Sequence, residues 1–144
     1  MAQHSTYNAA DVSATLDGVA VLAPADGDFI VVSEGSGAGT GLVGVSGDSI
    51  FSASNDRSAT ITIRLLHTSP THRRLEQKLS RQREGSAYKP FSFAFRDIGS
   101  GEGATAEKCH IMTAPDISKG NEASAREWVL WTGELRRLIP NEVA

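Results

Sequence analysis

The sequence SNDRSATITIRLLHTSP, residues 54–70, contains the clearest structural signals of this chain. Asn55-Asp56 favours a turn, and a strand follows in which Ile61, Ile63 and Leu65 alternate with polar residues. Because side chains along a strand point alternately to opposite sides, the three apolar residues share one face. The stretch therefore predicts a turn that leads into a half-buried strand.

A helix is predicted directly after this strand, over residues 70–84. In Ser69-Pro70 the serine hydroxyl can accept from amides of the first turn, and proline fits the first helical position, where no N–H is needed. Leu75 and Leu79 lie four residues apart and form a narrow apolar stripe. Gly85 is a suitable stop.

Strand patterns dominate the rest of the chain, and they occur on both sides of the helix. They cover residues 12–16, 29–32, 42–45, 91–95, 106–112 and 126–132. The predicted fold is mainly β, a two-sheet β sandwich or barrel with one packed α-helix. At 144 residues the chain suits a single domain, 1–144, with residues 1–8 as an N-terminal arm.

Charge and composition exclude several classes of protein. The net charge of −3 argues against a dedicated, tight nucleic-acid binder, which normally carries a basic stripe. The single cysteine, Cys109, rules out an internal disulfide. No apolar run approaches the roughly 20 residues that span a membrane, and the N-terminus lacks an apolar signal core. We therefore expect a soluble protein that is made in the cytoplasm.

Residues 33–47 are predicted to be a glycine-rich loop, of which residues 33–41 are expected to be mobile and residues 42–45 to resume a weak strand. Within it GTGLVG, residues 39–44, matches the dinucleotide pattern G-x-G-x-x-G. A phosphate site needs these glycines to open a helix, whereas the next residues favour strand and turn. The tract is therefore interpreted as a flexible or interface loop.

The sequence contains no arrangement typical of catalysis or metal binding. The four histidines, His4, His67, His72 and His110, lack the spacing of a zinc helix, and no G-x-S-x-G motif occurs. Cys109 and His110 are adjacent, so in a strand they face opposite sides. We predict no enzyme activity, cofactor or metal.

Three features leave a structural and a functional interpretation open. Arg57 either forms a local ion pair with Asp56 or reaches a neighbouring subunit. Trp128 and Trp131 point to opposite faces of a strand, so either both pack inside the domain or one lies at a subunit contact. The basic helix residues are either a solvated face or a docking site for an acidic partner; they are Arg73, Arg74, Lys78, Arg81 and Arg83.

An ordered set of segments resembles the tail tube (inner tube) protein family of contractile-tailed bacteriophages. The segments are Tyr7, 11–18, 25–32, 54–70, 89–91 and 114–131. The resemblance implies a structural virion protein of the viral tail. It implies hexameric rings that stack into a hollow channel for DNA ejection inside a contractile sheath, with strands of six subunits closing one β-barrel. The alternatives are a tube subunit of a phage-derived contractile injection system and a monomeric β-sandwich ligand-binding module.

The resemblance also implies partners and contact surfaces. The partners are other copies of the chain, the sheath protein, baseplate or initiator and tape-measure proteins, and DNA in transit, with no membrane. The expected inter-subunit or inter-ring contacts are Tyr7, Ser33, Gly35, Gly39, Gly41, Arg57, Asp116, Lys119 and Trp131. The expected sheath-facing residues are Arg73, Arg74, Lys78 and Arg81.

Overall fold

A computed structural model of the chain describes residues 6–85 and 88–140, which form ten strands and one α-helix. The strands before the helix are β1 (Val12–Leu16), β2 (Val19–Ala20), β3 (Ile30–Glu34), β4 (Gly39–Val43), β5 (Ser49–Ala53) and β6 (Ala59–Leu65). The helix α1 (Thr71–Arg83) is followed by β7 (Phe91–Asp97), β8 (Gly103–Thr113), β9 (Arg126–Thr132) and β10 (Arg136–Leu138).

Eight strands form one antiparallel sheet in the order β2-β1-β7-β8-β9-β6-β3, and β10 pairs with the first residues of β8. Strands β4 and β5 pair only with each other and form a second sheet. The predicted mainly β fold with two sheets and one helix is confirmed. The second sheet is a two-stranded hairpin rather than a full sandwich layer, and its residues are not part of the core cluster.

The strand that the sequence marks most clearly lies at the centre of the core. Ile61, Ile63 and Leu65 of β6 are each at most 1% exposed, as the alternation predicts. Strand β9 lies beside β6 and adds Trp128 and Leu130 to the same core. The core therefore covers one face of the large sheet.

The helix packs on this core, and hydrogen bonds fix both of its ends. Leu75 and Leu79 are buried, as their spacing predicts. The Ser69 hydroxyl accepts from the Thr71 amide at 3.3 Å, but the helix begins at Thr71, one residue later than predicted. Gly85 follows the helix with φ +106°, a left-handed conformation that favours glycine.

Gln82 near the end of the helix binds the edge of the large sheet. Its side-chain amide donates to the Ile111 carbonyl and accepts from the Ile111 N–H, each at 2.9 Å. Strand β7 pairs with β8 only as far as Cys109. The Gln82 amide therefore takes the place of a neighbouring strand where β7 has ended.

The turn between β1 and β2 consists of Asp17 and Gly18, with φ of 50° and 80°. Two positive φ values in a two-residue loop favour Asp-Gly, because glycine has no Cβ and aspartate tolerates the left-handed region. The Asp17 side chain leaves this turn and binds two other elements, as described below.

Candidate assembly interface

The β4–β5 hairpin carries the most exposed apolar side chains in a single element pair of the described chain. Leu42, Val43, Ile50 and Phe51 are 65–70% exposed, and Val45 in the connecting turn is fully exposed. Single exposed apolar residues are ordinary on protein surfaces, whereas a contiguous apolar patch marks an interaction site. The hairpin is therefore the first candidate for an assembly contact.

The structure corrects the interpretation of residues 33–41 as a mobile loop. Ser33 lies in β3 opposite Thr60, and Gly39 and Gly41 lie in β4. The G-x-G-x-x-G match lies on β4 and its turn, with strand β5 and no helix after it. The sequence signal for this hairpin is the pair of apolar runs on either side of Gly47-Asp48.

Two of the predicted contact glycines have close neighbours within the chain. The Gly35 amide donates to the Ser58 carbonyl at 2.9 Å, and a Cβ on Gly35 would overlap with the Ser58 hydroxyl. A Cβ on Gly39 would overlap with the Phe51 ring, so this ring lies across Gly39. Gly41, in contrast, has no neighbour within 4 Å of a Cβ position.

The two tryptophans occupy different environments on β9. Trp128 is 0% exposed, and its indole N–H donates to His72 Nδ1 at 3.0 Å. Trp131 is 38% exposed and lies beside the His110 ring, with 6.3 Å between ring centroids. Trp131 is thus available on the outer face of the sheet.

Arg57 has backbone contacts but no ion pair with its neighbour. The Asp56 carboxylate accepts from the Ser58 amide and the Ser36 hydroxyl, each at 3.0 Å. These hydrogen bonds lower the pKa of Asp56 below its ordinary value of 3.8. The four ion pairs of the described residues do not include Asp56 and Arg57, so the local ion-pair interpretation is not supported.

The basic helix residues differ in exposure: the arginines are exposed, whereas Lys78 is largely buried and forms an ion pair. Arg73, Arg74 and Arg81 are exposed. Lys78 has a side chain only 18% exposed, lies 5.1 Å from the centroid of the Phe91 ring and forms a 2.6 Å ion pair with Asp17. Lys78 therefore holds the helix to the β1–β2 turn. Because its charge is paired with Asp17, Lys78 is less available to bind an acidic partner protein.

Asp17 also accepts from the Ser92 amide at 2.8 Å, so its carboxylate joins β1, β7 and the helix. Partial burial by itself raises the pKa of Asp17, but hydrogen bonds from Lys78 and Ser92 and the Lys78 charge outweigh it. The pKa of Asp17 therefore lies below 3.8. A carboxylate with a lowered pKa stabilises the fold fully above its unfolded-state pKa and loses this contribution as the pH falls.

We expect Asp17→Asn to lower the free energy of unfolding near neutral pH and to have progressively less effect below about pH 4. Asparagine tolerates the same left-handed backbone, so the change acts on the charge. Urea unfolding of both proteins from pH 7 to pH 3 measures the difference. The exposed Asp48 supplies the control Asp48→Asn, and a difference that stays constant across this pH range would contradict the assignment.

The remaining predicted contacts lie on the surface. Asp116 and Lys119 are exposed in the segment between β8 and β9, which Arg126 binds through a 3.4 Å hydrogen bond to the Ser118 carbonyl. Tyr7 is 71% exposed and lines a groove of about 690 Å³ between β3 and the strands β7, β8 and β10. The Arg137–Glu34 ion pair, 2.9 Å long, links β10 to β3 beside this groove.

The candidate metal ligands are dispersed. Within residues 6–85 and 88–140, no group of three or more His, Cys, Asp or Glu side chains could hold a metal ion. His72 and His110 are hydrogen-bonded to Trp128 and Tyr88, and His4 lies outside the described residues. Burial raises the pKa of the Cys109 thiol to about 11.

In the part of the chain that the structure describes, no helix has the length and apolarity to cross a membrane.

Comparison with known proteins identifies relatives by family and by fold. The family model described as bacteriophage PhiTE tail tube protein matches residues 4–139. No curated protein matches the sequence.

Several solved structures are similar in fold, and three of them come from contractile injection systems and related particles. The PVC sheath/tube terminator of an extracellular contractile injection system has a TM-score of 0.61 at 11% identity, over 94% of this chain and 99% of that chain. The tube-terminating cap of the anti-feeding prophage has a TM-score of 0.59 at 10% identity, over 95% and 93%. The PVC sheath–tube complex has a TM-score of 0.61 at 8% identity, over 92% and 90%.

Proposed function

Because the chain belongs to the bacteriophage PhiTE tail tube protein family, we propose that it is the repeating subunit of a viral tail tube. Six copies close each ring, and the rings stack into a hollow channel through which DNA passes inside a contractile sheath. The exposed apolar hairpin is the observation that carries this proposal, because such a surface is unfavourable on a protein that stays monomeric.

The free edges of the large sheet support ring formation. Strand β3 ends the sheet, and its sequence, Ile-Val-Val-Ser-Glu, has no proline or lysine to discourage pairing with another chain. Head-to-tail pairing of strands around a ring removes such edges, whereas axial contacts stay open and build a filament. In this proposal the strands of six copies form the β-barrel that lines the channel.

The charge of the chain suits passage of DNA. A protein that binds DNA tightly neutralises phosphates with lysine and arginine, whereas this chain has a net charge of −3. DNA in the channel would therefore slide without adhering. The assembly partners in this proposal are the sheath protein, the baseplate or initiator proteins and the tape-measure protein, and assembly takes place in the cytoplasm of a bacterial host.

The remaining contact residues receive roles in the same proposal. Tyr7 and Ser33 lie beside the free edge of β3, where a neighbouring copy would pair. Asp116, Lys119 and Trp131 lie on exposed surfaces and are proposed to meet adjacent copies. The predicted contact residues Gly35, Gly39, Gly41 and Arg57 lie in or beside the hairpin and belong to its contact surface.

The exposed helix arginines are proposed to face the sheath. We expect Arg73→Glu with Arg74→Glu to leave tube formation intact and to weaken sheath attachment, because rim charges steer and orient partners. Co-sedimentation of preformed tubes with sheath protein measures attachment. The control Arg96→Glu with Lys108→Glu makes the same change in charge at exposed sites away from the helix. Loss of the tube itself in the helix variant would contradict this placement.

Two alternatives make different predictions. A tube subunit of an injection system would assemble in the same way, and the cargo would distinguish the two. A monomeric ligand-binding module needs a concave aromatic platform, and Trp131 lines neither the groove of about 690 Å³ nor the cavities of about 540, 450 and 390 Å³. The tube subunit therefore fits the exposed surfaces better than the binding module.

Negative-stain electron microscopy of the concentrated, purified protein tests the proposal. Rings or hollow tubes with six-fold end views are the expected result. Small particles that stay separate at high concentration, with or without an added baseplate initiator, would overturn the proposal.

A further inference from the structure

The β4–β5 hairpin is apolar on both of its faces. The pairing register aligns Leu42 with Ile50 on one face, whereas Val43 and Phe51 lie on the other. All four side chains are 65–70% exposed. A strand pair with one covered face alternates apolar and polar residues, whereas strands buried on both faces are apolar throughout. The pattern is that of a hairpin covered on both sides.

Within residues 6–85 and 88–140, no part of the chain covers either face. Each hairpin strand pairs only with the other. An isolated two-stranded hairpin is marginally stable in water, so this one needs an external surface to become stable. The surface that completes it must come from another molecule.

The size of each face indicates how many surfaces are needed. Aromatic side chains bury about 150–250 Å² each and aliphatic ones less, so two large side chains on one face bury at most about 500 Å². A stable interface buries about 800 Å² on each partner. One face alone is therefore too small for a stable contact, and burying both faces doubles the apolar area that assembly removes from water.

The low charge of the hairpin favours another copy of this chain as the partner. Copies with a net charge of −3 repel one another, yet residues 37–53 contain a single charged residue, Asp48 in the turn. The hairpin is therefore a surface where like-charged copies can meet at little electrostatic cost. A strongly charged partner would find no complementary charge there.

We infer that each hairpin inserts between two neighbouring copies of the chain and buries one face against each. This inference rests on the proposed tube function and adds how the subunits are linked. Each hairpin then connects three copies of the chain: the copy that carries it and the two neighbours that it contacts. The contact is heterologous, so it can close a ring or extend a filament, according to the symmetry that relates the copies.

Photo-crosslinking in diluted assemblies tests the inference. Chains with p-benzoylphenylalanine at both Leu42 and Phe51, on opposite faces, are assembled with a large excess of wild-type chain, irradiated and separated on denaturing gels. The excess makes each labelled chain react only with unlabelled neighbours. We expect a covalent species of three chains.

The matched control carries the same label at Val43 and Phe51, which share one face. This control should give species of two chains only. Two-chain species from both label pairs would show that one copy contacts the hairpin and would overturn the inference. A wild-type chain that forms no assembly, which is visible before irradiation, would instead overturn the proposed function and this inference with it.

Discussion

Replacement of Trp128 by alanine is expected to lower the free energy of unfolding by about 3–5 kcal/mol. Trp128 is 0% exposed, pairs with Ile63 of β6 and is hydrogen-bonded to His72 of the helix, so its loss leaves a large cavity in the core. The change also leaves His72 Nδ1 without the indole N–H that it accepts at 3.0 Å. Both effects act on the folded state of the single chain.

Trp131→Ala is the matched control, since it makes the same change three residues further along β9. Trp131 is 38% exposed, and we expect Trp131→Ala to lower the free energy of unfolding of the isolated chain by less than half as much as Trp128→Ala does. Urea unfolding followed by circular dichroism, at concentrations where the chain is monomeric, compares the two. An equal decrease in the free energy of unfolding for both variants would contradict the assignment of Trp128 as buried and Trp131 as partly exposed.

Replacement of Gly103 by alanine is expected to destabilise the large sheet by about 1–3 kcal/mol. A Cβ at this position would overlap with the Phe95 carbonyl oxygen and would lie 3.1 Å from Leu138 Cδ1. Gly103 pairs with Arg96 of β7 on one side and with Leu138 of β10 on the other, so the backbone cannot move away. The strain therefore falls on two strand pairings at once.

Gly120→Ala is the control, because a Cβ there meets no atom within 4 Å. Thermal unfolding of both variants and of the wild-type chain measures the difference. We expect Gly120→Ala to unfold like the wild type and Gly103→Ala to unfold at lower temperature. A wild-type melting curve for Gly103→Ala would mean that β7, β8 and β10 are not paired as described.

The elements that were predicted correctly from the sequence are those whose signals are local. The alternation at Ile61, Ile63 and Leu65 and the spacing of Leu75 and Leu79 each depend on one element and its burial. The confirmed mainly β class follows from such patterns. Periodicity identifies a buried face even where the element boundaries shift by a residue, as they do at the helix start.

Long-range contacts and the hairpin could not be predicted in this way. The ion pair between Asp17 and Lys78 spans 61 residues, and nothing in the local sequence joins them. Residues 33–41, which include the start of β4, are interpreted as a mobile loop because they are small and glycine-rich, whereas the weak strand predicted at residues 42–45 overlaps the end of β4. Within residues 6–85 and 88–140 the strands of the hairpin do not pack on the core, and the usual alternation of apolar and polar residues is absent from them.

The separation of the hairpin from the core means that the chain has two parts with different cooperativity. The large sheet and the helix share one core and unfold together, whereas the hairpin can open without exposing that core. Its amide hydrogens should therefore exchange with solvent rapidly in the free subunit and slowly in an assembly. Substitutions in the hairpin can thus change which copies assemble while the folding of the subunit is preserved.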